Sequence, residues 1–189
     1  MIPASASTRG RLLVAAPPLE DPNFDRSVVY MLEHDADGAA GVVLNRPIPD
    51  VAVDDIEGLD RWQPYASEPM VLFAGGPVDL NALVGLARLD GPTSAAWAEV
   101  AYGVSTVDLH ADPTDEGLVV HALRVFRGYS GWGPGQLEGE LAVGAWIVLD
   151  ALLDDVFGMN GDELWRSVLR RQGGRLSWIA NAPDDLSMN

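Results

Sequence analysis

Three short segments hold the residues whose types and spacing could do chemistry. Gly128–Gly135 reads Gly-Tyr-Ser-Gly-Trp-Gly-Pro-Gly, four glycines and a proline in eight residues, and it leads into a helix predicted to start at Gln136. Glycines let a backbone approach a ligand, and the unpaired N–H groups at a helix start attract anions. Here Glu138 and Glu140 already occupy that positive end, and the glycine spacing matches neither a phosphate-binding loop nor a dinucleotide fingerprint. The segment therefore reads first as a tight structural turn. Ser130 within it suggests a nucleophile elbow. That motif requires Gly-x-Ser-x-Gly, and Trp132 stands where the last glycine should be. A Ser130 hydrolase or transferase would also need a base and an acid, and the chain offers three histidines, His34, His110 and His121.

The other two segments are Asn45-Arg46-Pro47, which ends an apolar run, and Gly75-Gly76-Pro77, which ends another. Arg46 offers either a local salt bridge or a guanidinium fork for a carboxylate or phosphate. If the turns at Asn45–Pro47, Gly75–Pro77 and Gly128–Gln136 converge at one end of a sheet, they form a cleft with backbone donors. Arg46 and Gln136 would then be its side-chain partners and Trp132 a wall, with Ser130 and Gly131 among its candidate ligand-binding residues. No catalytic residue and no metal ligand is assigned. His34-Asp35-Ala36-Asp37 reads as an exposed hairpin turn, without the length or closing Glu of a calcium loop. His121, between Val119 and Leu123 at strand spacing, reads as a core or edge histidine. Arg166, Arg170, Arg171 and Arg175 read as a solvated helix face.

The elements that must position these residues are mostly strands. Leu12–Ala16 ends at Pro17-Pro18. Ser27–Glu33 and Ala40–Leu44 flank an Asp-Gly turn, a hairpin signal. Both runs are apolar at nearly every position, so both faces of that hairpin are expected to be covered. Asp50–Asp60 reads as a short helix or turn, Trp62–Pro69 as a loop and Val71–Phe73 as a strand. Leu80–Leu89 is strand or helix, and Glu99–Leu109 and Leu118–Tyr129 are strands. Ala145–Leu149 is a further strand. Asp162–Arg171 is the clearest helix, capped by Asn160, with Leu164, Trp165, Val168 and Leu169 on one face and Gly173-Gly174 as its stop. Hairpins and mixed strand order with intervening helices make the class α+β. Residues 1–9 read as a flexible N-terminus, and 10–189 as a single domain.

Composition narrows the chemistry. The 189 residues carry a formal net charge of −16, and every one of the 12 basic residues is arginine. No Cys means no disulfide, thiolate or cysteine-ligated metal; no Lys removes Schiff-base chemistry and the phosphate-loop lysine. The negative charge disfavours nucleic acid and anionic membranes. No apolar run approaches the ~20 residues of a membrane span. The expectation is a cytoplasmic protein with no cofactor, no direct nucleic-acid contact and no membrane contact.

Gly10–Pro47, Leu72–Val78 and Arg124–Val148 together resemble the AlgH/YqgE family of bacterial proteins, in order and spacing. Asp21–Phe24, Asn45–Pro47, Gly75–Pro77 and Gly128–Glu138 are the specific parts of the match. The resemblance implies a mixed, mostly antiparallel, partly barrel-like sheet with peripheral helices and a C-terminal helix. It implies no established enzymatic activity or cofactor, although the family is often labelled a transcriptional regulator. Where the family usually has a Leu-His pair after the Gly-Pro turn, this chain reads Gly85-Leu86-Ala87-Arg88-Leu89. The favoured expectation is a non-enzymatic module that binds a small molecule or peptide at the three turns. The alternatives are a Ser130 hydrolase or transferase, and a regulator acting through a protein partner.

Overall fold

The computed structural model describes residues 7–17, 21–92, 94–115, 117–158 and 161–181. Pro18 and Asn160, expected to end the first strand and to cap the long helix, lie outside the described residues. The strands are β1 (Arg11–Ala15), β2 (Val28–Asp35), β3 (Gly38–Val43), β4 (Pro47–Ala52), β5 (Val71–Ala74), β6 (Val78–Asp90), β7 (Trp97–Ala101), β8 (Val104–Val107), β9 (Val119–Trp132) and β10 (Trp146–Asp150). The helices are α1 (Gln136–Ala142), α2 (Leu153–Phe157), α3 (Asp162–Arg170) and α4 (Gly174–Ile179), with 3-10 turns at Val53–Asp55 and Asp60–Tyr65.

The strands form one curled sheet in the order β10-β1-β2-β3-β9-β6-β8-β7, with the β4–β5 pair joined to β9. Every pairing is antiparallel except β5 on β9. The result is an α+β half-barrel with peripheral helices. The two long strands β6 and β9 pair from Asp90↔Val119 to Val78↔Tyr129 and form its spine.

Alternation along β1–β3 divides the interior, because successive side chains on a strand point to opposite faces. Leu12, Val14, Val28, Tyr30 and Val42 point to one core, covered by α2, α3 and α4. Leu13, Ala15, Val29, Met31 and Val43 point to the other, covered by Phe24 and α1. Both faces of the hairpin are therefore buried, as its apolar run requires. Each fully buried aliphatic side chain contributes about 1.5–3 kcal/mol. A third core, under the β4–β5 pair and the 3-10 turns, gathers Val53, Trp62, Leu72, Leu123 and Val125. The α3 stripe of Leu164, Trp165, Val168 and Leu169 is buried, and the Trp165 indole N–H donates to the Ala15 carbonyl at 2.9 Å.

Several local expectations are corrected. Gly128–Trp132 is not a turn but the end of β9. Asp50–Asp60, read as a short helix or turn, ends β4 and then forms the 3-10 turn at Val53–Asp55, as that reading allowed. Trp62 lies in a 3-10 turn and is buried, its indole N–H held by the Leu109 carbonyl at 2.9 Å. Glu99–Leu109 contains a hairpin, β7–β8, turning at Tyr102 and Gly103, both at positive φ. The Gly173-Gly174 stop opens directly into α4. At the N-terminus Thr8 is buried, and its N–H donates to His34 Nδ1 at 3.0 Å.

Candidate functional site

The segments singled out in the sequence are linked through the end of β5, at Ala74 and Gly75. The Gly75 carbonyl accepts the Val43 N–H at 2.9 Å and the Ser130 hydroxyl at 3.1 Å, while the Gly75 N–H donates to the Arg127 carbonyl at 2.8 Å. The Ala74 N–H donates to the Arg46 carbonyl at 2.8 Å, and Pro47 pairs with Phe73. The glycines allow this approach. A Cβ on Gly75 would sit 2.3 Å from the Gly128 carbonyl oxygen, and one on Gly128 2.7 Å from the Gly76 carbonyl oxygen. A Cβ on Gly76 would lie 2.3 Å from the Tyr129 carbonyl. The junction is thus closely packed backbone, with Asn45, Gly75, Gly128 and Ser130 buried. Arg46, Pro47 and Gly76 are half-buried, and Pro77, Gly131 and Gln136 are exposed.

Ser130 is fully buried, and its hydroxyl donates to a backbone carbonyl rather than to a base. Asn45 is also buried, and its side chain closes the turn before β2. Its Oδ1 accepts the Val28 N–H and its Nδ2 donates to the Arg26 carbonyl, each at 2.9 Å. The Arg46 guanidinium donates to the Asp25 carbonyl. Trp132, expected as a wall of the cleft, is buried. Its ring stacks on Phe24 with centroids 6.1 Å apart and meets Trp146 edge-on at 6.0 Å.

The contacts of two groups escaped the sequence reading. Glu140 Oε2 accepts the indole N–H of both Trp132, at 2.8 Å, and Trp146, at 2.7 Å, while its Oε1 takes the Gln136 amide at 3.0 Å. The Asp21–Ser27 turn is the second. Through Phe24, the Asp25 carbonyl and the Arg26 carbonyl it touches Trp132, Arg46 and Asn45 in turn.

The histidines form no catalytic pair with Ser130. His34 Nδ1 accepts the Thr8 N–H at 3.0 Å, which places the ring proton on Nε2, 3.0 Å from Glu138 Oε1. The Thr8 hydroxyl is also 3.0 Å from Nδ1. However, that lone pair is taken by the backbone and Thr8 is buried, so the trio anchors the N-terminal segment. Glu138 is held below the usual carboxylate range, first by its own backbone N–H and then by the His34 ring. His121 lies at the sheet surface with Nε2 2.8 Å from Asp90. Among the described residues no cluster of His, Asp and Glu could hold a metal ion, and no helix is long and apolar enough to cross a membrane.

Arg124 crosses between cores. It donates to the carbonyls of Glu68 at 3.2 Å and Phe157 at 3.1 Å, and it lies 4.4 Å over the Phe73 ring. Burial pushes its guanidinium down to about 10, leaving it charged at neutral pH. Four of the cavities among the described residues, of about 260, 360, 360 and 450 Å³, are lined by other residues than Asn45, Gly75 and Gly128.

The half-barrel of mostly antiparallel strands with peripheral helices is shared with known proteins. The chain belongs to the AlgH-like family, whose model matches residues 12–177. A UPF0301 protein of Streptomyces avermitilis is 49% identical, with 97% of this chain and 96% of that protein covered. Another, from Thermobifida fusca, is 43% identical over 97% and 96% of the two chains. Among solved structures, the crystal structure of a Corynebacterium diphtheriae protein superposes with a TM-score of 0.83 at 33% identity, covering 92% of each chain. The solution structure of the AlgH protein from Pseudomonas aeruginosa gives 0.69 at 27% identity, over 95% of this chain and 96% of that one.

Proposed function

We propose that the protein is a cytoplasmic, non-enzymatic binding module. It takes a small molecule or peptide on the face where Asn45–Pro47, Gly75–Pro77 and Gly128–Gln136 come together. The observation that supports this reading is the set of hydrogen bonds that tie segments distant in sequence to Ala74 and Gly75. Pro77 and Gly131, next to that centre in sequence, are exposed and Arg46 is half-buried, while Gln136 is exposed at the start of α1, bonded to Gly133 and Glu140. A preorganised backbone lowers the ordering cost of binding. Ser130, buried and donating to a carbonyl, has no role as nucleophile in this reading.

The test is thermal-shift screening of the purified protein against a metabolite and peptide library, since a ligand that binds the native state alone raises Tm. Hits are expected to lose their shift in Arg46→Ala or Gln136→Ala. Hits that keep their full shift in both variants, or a screen without hits, would overturn the reading.

A further inference from the structure

The two ends of the curled sheet approach each other at one seam. β7 is one edge strand, and the segment entering β1 lies near the other. Across the seam the Arg9 guanidinium donates to the Glu99 carbonyl at 3.0 Å. A Cβ on Gly10, which has φ +74°, would sit 2.3 Å from the Ala101 Cβ. Beside this contact lies a cavity of about 360 Å³, walled by Gly10, Tyr30, Ala101, Tyr102, Leu152 and Leu153 among others, none of them charged. That volume falls within the usual range for small-ligand sites, about 300–1,000 Å³.

Two features mark this cavity out from ordinary packing defects. Tyr30 is 1% exposed, and its hydroxyl has no hydrogen-bond partner among the described residues. Buried tyrosine hydroxyls ordinarily find one. The hydroxyl lies on the Gly10 side, 3.9 Å from where a Gly10 Cβ would be. The rim, in contrast, carries two large apolar side chains in water, Tyr102 at 82% exposure and Leu152 at 54%. Exposed side chains change rotamer in picoseconds to nanoseconds, so the way to the hydroxyl runs past movable groups.

We propose that this seam cavity binds a small, uncharged, apolar molecule carrying one hydrogen-bond-accepting oxygen, a ketone or ester, with Tyr30 Oη as the donor. The charges nearest Tyr30 are of opposite sign and already engaged. Arg9 donates to the Glu99 carbonyl, and the Glu99 carboxylate accepts the Gly103 N–H at 3.1 Å. An anionic ligand would meet the Glu99 carboxylate as well as Arg9, and the net charge of −16 opposes it further. Tyr102 and Leu152 give up exposed apolar surface on binding. The site is independent of the Gly75 junction.

The experiment is a titration of the full chain, followed by backbone amide NMR, with acetophenone and with ethylbenzene, which resembles it but lacks the oxygen. Acetophenone is expected to shift the amides of Gly10, Ala101 and Tyr102. In Tyr30→Phe, which removes a hydroxyl without a partner among the described residues and is therefore expected to fold, the acetophenone-to-ethylbenzene affinity ratio is expected to fall about three- to tenfold. Absence of shifts at those amides in the wild-type chain, or a ratio unchanged by Tyr30→Phe, overturns the proposal. Shifts confined to Gly76 and Gly131 would place the ligand at the junction instead and would overturn it equally.

Discussion

The hydroxyl of Ser130 donates to the carbonyl of Gly75 at 3.1 Å, across 55 residues of chain. The same carbonyl also accepts the Val43 N–H, so it stays satisfied if the hydroxyl is removed. Ser130→Ala is therefore expected to fold, with a loss of about 0.5–1.5 kcal/mol, the net value of one neutral hydrogen bond. Gly76→Ala is expected to cost more than about 3 kcal/mol, because overpacking against backbone cannot be relieved by a rotamer change. Its new Cβ would meet the Tyr129 carbonyl carbon and oxygen at 2.3 Å. Thermal melts of the two variants check the contrast; equal losses would show that the junction is not rigid.

Arg171 is not part of a solvated helix face. Its Nη1 lies 2.5 Å from Asp155 Oδ1, its Nη2 donates to the Asp150 carbonyl at 2.7 Å, and Asp155 is 1% exposed. Arg171→Ala strands a buried carboxylate and is expected to cost about 3 kcal/mol, the lower end of the range for a broken buried pair because the arginine is partly exposed. The double variant Arg171→Met with Asp155→Leu is expected to recover much of that loss. Urea midpoints of the three proteins measure it.

Much of the fold is legible in the residues, for a physical reason. The β2–β3 hairpin announces itself through an Asp-Gly turn between two apolar runs, and the stripe on α3 follows a helical period. Both are local patterns. What escapes is set by distant partners. Gly128, Gly131 and Gly133 suggest a turn, yet β9 runs on through Trp132, and Gly128 stands there because Gly75 and Gly76 pass close by. Trp62 lies in a proline-bearing stretch that resembles a loop, and its burial depends on the Leu109 carbonyl 47 residues away. The candidate site divides in the same way. The sequence brings Asn45, Gly75 and Gly128 to notice, but whether they enclose a cleft or pack backbone on backbone is decided by contacts that no spacing encodes.

Tyr30 makes stability depend on alkaline pH. Burial raises its hydroxyl pKa above the usual tyrosine range; Arg9 lowers it and Glu99 raises it to lesser extents. The unfolded chain ionises at about 10. Between that pH and the higher native value the unfolded state loses its proton first. The contribution is therefore complete below about pH 10 and is lost as pH rises through the native pKa. Arg124, with its pKa pushed down, contributes with the opposite sign over the same region, so the comparison must be made between variants. Tyr30→Phe is expected to show a smaller fall in urea midpoint than wild type between pH 9 and 11 (roughly the onset region for tyrosine). Parallel pH profiles would contradict the assignment.

Glu140 holds two indoles with one oxygen, and its removal tests how the α1 face is built. Trp132 and Trp146 are 6% and 4% exposed, so their N–H groups have little access to water once the carboxylate is gone. Glu140→Ala leaves two buried donors without their charged acceptor and is expected to cost about 3 kcal/mol or more, given about 1.5–3 kcal/mol for a hydrogen bond to a charged group. Glu140→Gln keeps an amide oxygen at the same reach and is expected to retain about half of that. Tryptophan fluorescence is a direct check, because water reaching either indole shifts emission to the red. An unshifted spectrum in Glu140→Ala, together with an unchanged melting temperature, would mean that the Phe24–Trp132–Trp146 packing alone holds α1 against β3 and β10.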